Sequence, residues 1–265
     1  MLKPSLFTRV WLWALAAVVA VWLIAPTLIV IPLSFTDKAS LVFPPQGWSF
    51  RWYESFFTNP QWTAALGNSL LLGLLVAVLA TVLGLLAALG LRVIAQKKLM
   101  AAVTAGLIAP MVVPGIVLAI GVYAVFLYLG LVGTLPGFLF AHTVLALPFT
   151  VIAINSGLAN FDERLELAAR SLGANAFGTF MKVTLPNITP SLVSGALFAF
   201  VTSFDEVVLS LFIKSPYFET LPVLMYASVT RDTDPTLAAA ATVILLLTTA
   251  IVVIALLATG RKKRG

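Results

Sequence analysis

The chain contains no cysteine and one histidine in 265 residues. It therefore has no disulfide, no thiol nucleophile and no Cys-ligated zinc or iron–sulfur site, and a multi-histidine metal centre is excluded with them. Charge is equally scarce, with 10% of residues charged against 61% hydrophobic. Soluble domains average about 25% charged and about 45–50% apolar, so these few charges cannot clothe a water-facing surface. The mean hydropathy of +1.07 makes lipid the main solvent. Disorder and a collagen-like fibre are excluded by the same composition.

What the sequence has instead is long uncharged runs. Val10–Leu33, Trp62–Leu91 and Pro235–Gly260 carry no acid, Lys or Arg, and Leu99–Phe161 carries none over a stretch too long for one crossing. A spanning helix needs about 20 apolar residues. Gly130, Gly133, Pro136 and Gly137 mark a turn that divides the long stretch. Ile188–Ile213 is apolar except for Asp205 and Glu206. The reading is an all-α membrane protein of six transmembrane helices, near 10–33, 64–91, 100–129, 138–157, 188–213 and 236–259, forming one domain over 1–265. Only helices and closed barrels satisfy the backbone in lipid, and these runs are too long and too uniform for barrel strands. The first run is longer than a signal-peptide core and no A-x-A site follows it, so it reads as an uncleaved helix.

Six spans put both termini and two loops on one side. Lys3, Arg9, Arg92, Lys97, Lys98, Arg164, Arg170, Lys182 and Arg261–Arg264 fall there, whereas Lys38, Arg51, Lys214 and Arg231 fall on the other. The positive-inside bias predicts cytoplasmic termini. These basic residues sit at span ends rather than on one compact face, which argues against nucleic acid as a partner. The outer segment Ser34–Gln61 is rich in aromatics, Trp48, Trp52 and Tyr53 among them, and predicts a short interfacial helix. A second short outer helix is expected around Leu221–Thr230, with Pro222 in its first turn. Pro110 and Pro114 predict a kink in the third span. His142, with no candidate metal partners, reads as a hydrogen-bonded packing residue of the fourth.

The loop 158–187 between spans four and five is the most specific feature. Asp162 suits an N-cap, Glu163 and Glu166 the first helical turn, and Gly173 the C′ position, so a helix of about ten residues is expected, with a small Ala168–Ala169 face. The order Ala168-Ala169, three residues, Gly173, nine residues, Val183, one residue, Leu185-Pro186 resembles the signature loop of ABC importer permeases, which reads Glu-Ala-Ala, three residues, Gly, nine residues, Ile, one residue, Leu-Pro. Leu167 stands at the family's Glu position, and Glu166 precedes it by one residue. The resemblance implies a type I ABC importer permease-like fold. It further implies a cytoplasmic coupling helix between spans four and five, with Glu166, Ala168, Ala169, Gly173, Leu185 and Pro186 serving contact with an ATPase. Ser203-Phe204-Asp205-Glu206, then Thr220-Leu221-Pro222, and Trp52-Tyr53 after the first span, are similar to the second permease subunit of the spermidine/putrescine-type importers.

The resemblance implies a permease subunit of the bacterial inner membrane that is not itself an enzyme. Its implied partners are a second homologous permease, two ATPase subunits, an external solute-binding protein and lipid. The chain has no G-x-x-x-x-G-K-[ST] phosphate loop, so ATP and Mg are expected on the ATPase and no cofactor on this chain. Asp205 and Glu206 are the acids within a span, roughly 11 Å below its outer end at the helical rise. Charge at such depth costs about 2.5–3.5 kcal/mol and usually faces a bundle interior or water. Asp205, Glu206, Ser203, Phe204 and Tyr226 are therefore candidates for a path taken by a small cationic solute, a polyamine such as spermidine or putrescine. The alternatives left open are another small amine, an aminophosphonate or an opine-like compound, and an ion-gradient-driven secondary transporter, which would not explain the loop spacing. For the two acids the competing reading is an ion pair or capping bond that only fixes helices.

Overall fold

The computed structural model describes residues 6–231 and 234–260. Lys3, Asp232 and Arg261–Arg264 lie outside the described residues. The described chain is built from helices α1 (Leu6–Ser34), α2 (Arg51–Thr58), α3 (Pro60–Val93), α4 (Lys97–Val112), α5 (Gly115–Leu129), α6 (Leu135–Ala159), α7 (Arg164–Ser171), α8 (Ala176–Thr179), α9 (Leu185–Phe204), α10 (Val208–Ile213), α11 (Leu221–Arg231) and α12 (Thr236–Gly260), with a π-helical turn at Phe180–Thr184. Five continuous stretches are long and apolar enough to cross a bilayer: Thr8–Ser34, Pro60–Val93, Leu135–Ala159, Ala176–Phe204 and Thr236–Ala255. The pair α4 and α5 makes a sixth when counted as one broken span.

The chain divides into two compact units, one of Met1–Thr63 and Ala227–Leu247, the other of Ala64–Tyr226 and Thr248–Gly265. In the first, α1 is exposed along its apolar length, as expected of a helix whose solvent is hydrocarbon. The short helix expected in segment 34–61 is α2. Its Trp52 Nε1 donates to Thr36 O (2.8 Å), Tyr53 and Ser34 share a hydroxyl–hydroxyl bond (2.6 Å), and the Arg51 guanidinium lies 4.2 Å from the Trp52 ring centre. Trp48, Phe50 and Phe57 stay exposed, as aromatics at a membrane–water boundary do.

In the second unit α6 is the most enclosed helix, burying Phe138, Ala141, His142, Ala146, Thr150, Val151 and Ile154. Small residues let its neighbours approach closely. Thr150 Oγ1 donates to Ala80 O of α3 (3.0 Å). A Cβ placed on Gly84 of α3 would run into the Thr150 side chain, and one on Gly195 of α9 would sit 3.4 Å from the Thr150 backbone. Leu72, Val76, Ala80, Phe138, Ala146, Ala199, Leu209 and Ile213 close one core cluster, and Ala88, Ile154, Leu158 and Ile188 a second.

Two spans differ from the sequence expectation. The kink expected near 100–129 is a full break, with α4 and α5 meeting at 101°. Val113 is extended at φ −69°, ψ 130°, as a residue before proline tends to be, and Pro114 then opens α5 as its N-cap. The span expected near 188–213 starts earlier and stops sooner. Asn175 caps α8 by accepting from Gly178 N (2.7 Å), and the chain stays helical from Ala176 to Phe204. The π-turn falls just before Pro186, where a helix loses a backbone donor; Leu185 N donates to Phe180 O five residues back. The irregular part of the expected loop 158–187 is thus confined to 160–175, apart from α7.

Gly84→Ala is expected to lower the unfolding midpoint of the purified chain in detergent, by the equivalent of about 1–3 kcal/mol of overpacking. Gly90→Ala, whose Cβ would meet nothing within 4 Å, should leave the midpoint unchanged or raise it. Equal midpoints for the two variants would remove the close α3–α6 contact from the account.

Candidate functional site

Two local constructions stand out in the second unit. The first is the loop that carries α7. Asp162 Oδ1 accepts from Arg164 N (3.0 Å), so the aspartate opens the helix as its composition suggests, one residue before the N-cap Glu163. At the other end Gly173 N donates to Arg170 O (2.9 Å) and Ala174 N to Ala169 O (3.0 Å). This pair of bonds is the Schellman closure, which needs a left-handed residue at C′. Gly173 supplies it with φ +89°. The helix is eight residues long rather than about ten, and none of its residues is buried.

The exposed surface of this loop mixes charged side chains, Arg164 and Arg170 among them, with large apolar ones. Leu165, Leu167, Leu172 and Phe177 are exposed, Leu172 at 89% and Phe177 at 73%. Ala168 is exposed and Ala169 half-buried. Glu166 turns the other way. Its Oε1 accepts from Thr184 Oγ1 (2.6 Å) and lies 3.3 Å from Arg92 Nη1, while Arg92 Nη2 donates to Glu163 Oε1 (2.8 Å). Leu185 and Pro186 sit at the junction of the π-turn and α9. A cavity of about 430 Å³ lies behind α7, lined by Arg92, Glu166, Leu167, Thr179 and Thr184 among others.

The second construction is a break in the fifth span. The helix stops at Phe204, Asp205 takes φ −96°, ψ 1°, and α10 starts at Val208. Glu206 Oε1 accepts from Leu209 N (2.8 Å), so this acid caps α10 and satisfies one of the donors every helix N-terminus exposes. The Asp205 carboxylate is exposed and takes part in no hydrogen bond or ion pair among the described residues. Ser203 and Phe204 face inward at 5% and 3% exposure, with Phe204 stacked on Phe200 at 5.4 Å. The expectation that Asp205 and Glu206 lie within a continuous helix is therefore corrected: they form an elbow between two helices. Tyr226 lies on α11, half exposed.

His142 of α6 holds this elbow from behind. The ring is fully buried. Its Nδ1 lies 3.2 Å from Ser203 O and 3.0 Å from Ser203 Oγ, and its Nε2 lies 2.9 Å from Ser210 Oγ. A carbonyl only accepts, so a proton on Nδ1 fits, with Nε2 accepting from the Ser210 hydroxyl. One imidazole thus bridges the last turn of α9 and the body of α10. Sequence reasoning reached a hydrogen-bonded packing histidine but not its partners, which lie 61 and 68 residues away.

Residues 80–264 match the family model described as binding-protein-dependent transport system inner membrane component. The chain belongs to this family. It is 34% identical over 224 residues to the spermidine/putrescine transport system permease protein PotC of Haemophilus influenzae, covering 84% of this chain and 86% of the relative. It is 31% identical over 224 residues to the putrescine transport system permease protein PotI of Escherichia coli, covering 82% and 79%. Among solved structures, a bacterial alginate ABC transporter in complex with a pentasaccharide-bound periplasmic protein aligns over 97% of this chain and 96% of its own, with a TM-score of 0.73 at 18% identity. The inward-facing MetNI methionine ABC transporter aligns over 75% and 95%, with a TM-score of 0.64 at 20% identity. The fold is that of an ABC importer permease, and the chain is a multi-pass inner membrane permease subunit.

Replacing His142 by Leu keeps bulk but strands the Ser203 and Ser210 hydroxyls, at about 1–3 kcal/mol for each buried unsatisfied group. A clear fall in thermal midpoint is expected. Adding Ser203→Ala and Ser210→Ala should recover part of the loss, since only the Ser203 carbonyl is then left without the imidazole. No recovery in the triple variant would mean that the imidazole contributes through packing rather than through these bonds.

Proposed function

We propose that this permease subunit forms half of the translocation path of an ATP-driven importer for a small cationic solute, a polyamine such as spermidine or putrescine. The observation that carries the substrate class is the exposed Asp205 carboxylate, unpaired among the described residues, at the elbow it shares with Glu206. Keeping charge in a membrane is costly unless water or a counter-ion meets it, and an ammonium group is a transient counter-ion. A carboxylate without a fixed cation also binds weakly enough to release its guest, as passage requires. Relatives whose names carry spermidine and putrescine support the same class. Glu206 and Ser203 shape the elbow, Phe204 backs it, and Tyr226 offers an aromatic face for cation–π contact.

The large apolar side chains exposed on α7 support docking on a separate ATPase. In this reading Ala168 and Ala169 permit close approach, Gly173 closes the helix, and Leu185-Pro186 opens α9, the helix that α7 moves. ATP and Mg belong to two ATPase subunits, and a second homologous permease and an external binding protein complete the complex. The Lys and Arg bias supports cytoplasmic termini, with 1–265 acting as one permease domain. Closure of the ATPase pair then biases an inward-facing and an outward-facing state.

Two variants test this reading in the complete complex reconstituted in vesicles with its binding protein. Ala169→Lys should prevent copurification of the ATPase or abolish ATP-driven uptake; normal assembly and uptake would defeat the docking proposal. Asp205→Asn should assemble normally and take up labelled putrescine at least tenfold more slowly. Uptake at the unmodified rate would take the carboxylate off the path and leave the polyamine assignment without its local support.

A further inference from the structure

How α7 is fastened to the membrane-spanning helices is not explained by packing. It buries no side chain, although it lies beside α8 and the π-turn, and a cavity of about 430 Å³ opens behind it. Its side-chain attachment is the polar cluster around Glu166. That carboxylate is 18% exposed, and its Oε1 is shared by Thr184, which is 2% exposed, and by Arg92, whose side chain is 25% exposed. The second arm, from Arg92 to Glu163, ends on a carboxylate that is 73% exposed. Solvent screens that arm, and exposed pairs of this kind contribute little. The Arg92–Glu166–Thr184 arm is the more shielded of the two.

These three residues lie on three different elements. Arg92 is in the last turn of α3, Glu166 in the first turn of α7, and Thr184 ends the π-turn that feeds α9. We infer that Arg92, Glu166 and Thr184 form a tie that transmits displacement of α7 to the inner ends of α3 and α9 together. Arg92 is the positioning residue. Its guanidinium presents two nitrogens in a fixed fork, one to each carboxylate, which a lysine cannot reproduce. A one-residue offset gives this geometry its sense: Glu166 precedes Ala168-Ala169 by two positions rather than one, and its carboxylate is engaged within the chain. The tie rests on the proposal that α7 docks on an ATPase, since without a moving partner it has nothing to transmit.

The experiment measures ATP hydrolysed per solute taken up, in vesicles holding the complete complex with its binding protein. Arg92→Met should assemble, hydrolyse ATP within about twofold of the unmodified rate, and consume at least fivefold more ATP per solute. Arg92→Lys should fall between the two, and Thr184→Val should raise the ratio at least twofold. An unchanged ratio in Arg92→Met overturns the tie. If Arg92→Met does not assemble, Thr184→Val and Glu166→Gln decide, and unchanged ratios in both overturn it. Ala169→Lys in the same assay separates the two proposals. Loss of uptake there with a normal Arg92→Met leaves docking standing and removes the tie, whereas normal behaviour of Ala169→Lys removes docking and the tie with it.

Discussion

A helix that stops inside an apolar layer exposes backbone donors and acceptors that no water can satisfy, and each unsatisfied group costs several kcal/mol. This constraint governs the fifth span. The break between α9 and α10 persists because Glu206 accepts from Leu209 N and because His142 reaches Ser203 and Ser210 from α6. Elsewhere Thr150 satisfies its own buried hydroxyl by donating to Ala80 O and Leu147 O.

The two constructions of the second unit answer opposite demands. The elbow at Asp205 and Glu206 is held by buried hydrogen bonds from a central, enclosed helix, so it is stiff. The α7 loop has no buried side chain and is closed at its C-terminal end by a glycine at φ +89°. Its helix is short and rigid in itself, but it is joined to the body by a few polar bonds. Such an element is set on the body by polar bonds rather than by packing.

The sequence was most legible where one physical rule acted alone. Long uncharged runs located the spans, and the turn at Gly130 and Gly133 divided the longest of them, with φ +68° and +75°. The loop motif placed α7 and its closing glycine to within a residue or two. Breaks were harder. Pro110 and Pro114 read as a kink, yet the 101° bend depends on two consecutive extended residues, a backbone choice that composition does not encode. The elbow at 205–207 has no Pro or Gly to announce it. Asp205 and Glu206 fit a continuous helix pattern, and part of what holds the interruption is His142, 61 and 68 residues away. Long-range hydrogen bonding of this kind leaves no local trace. The Arg92–Glu166 contact was hidden for the same reason, since its partners are 74 residues apart and Arg92 read simply as a topological charge.

The single histidine has one more consequence. Because the chain contains no second imidazole, the ring-nitrogen magnetic resonance signals of a nitrogen-15-labelled subunit come from His142 alone, with no mutation needed. Those signals respond to which nitrogen carries the proton and to the length of each hydrogen bond. Any state of the transport cycle that separates α10 from α9 must lengthen one of the ring's two attachments, to Ser203 or to Ser210. The subunit therefore carries a native spectroscopic gauge at the joint of its fifth span, one that reads whether the elbow opens or travels intact.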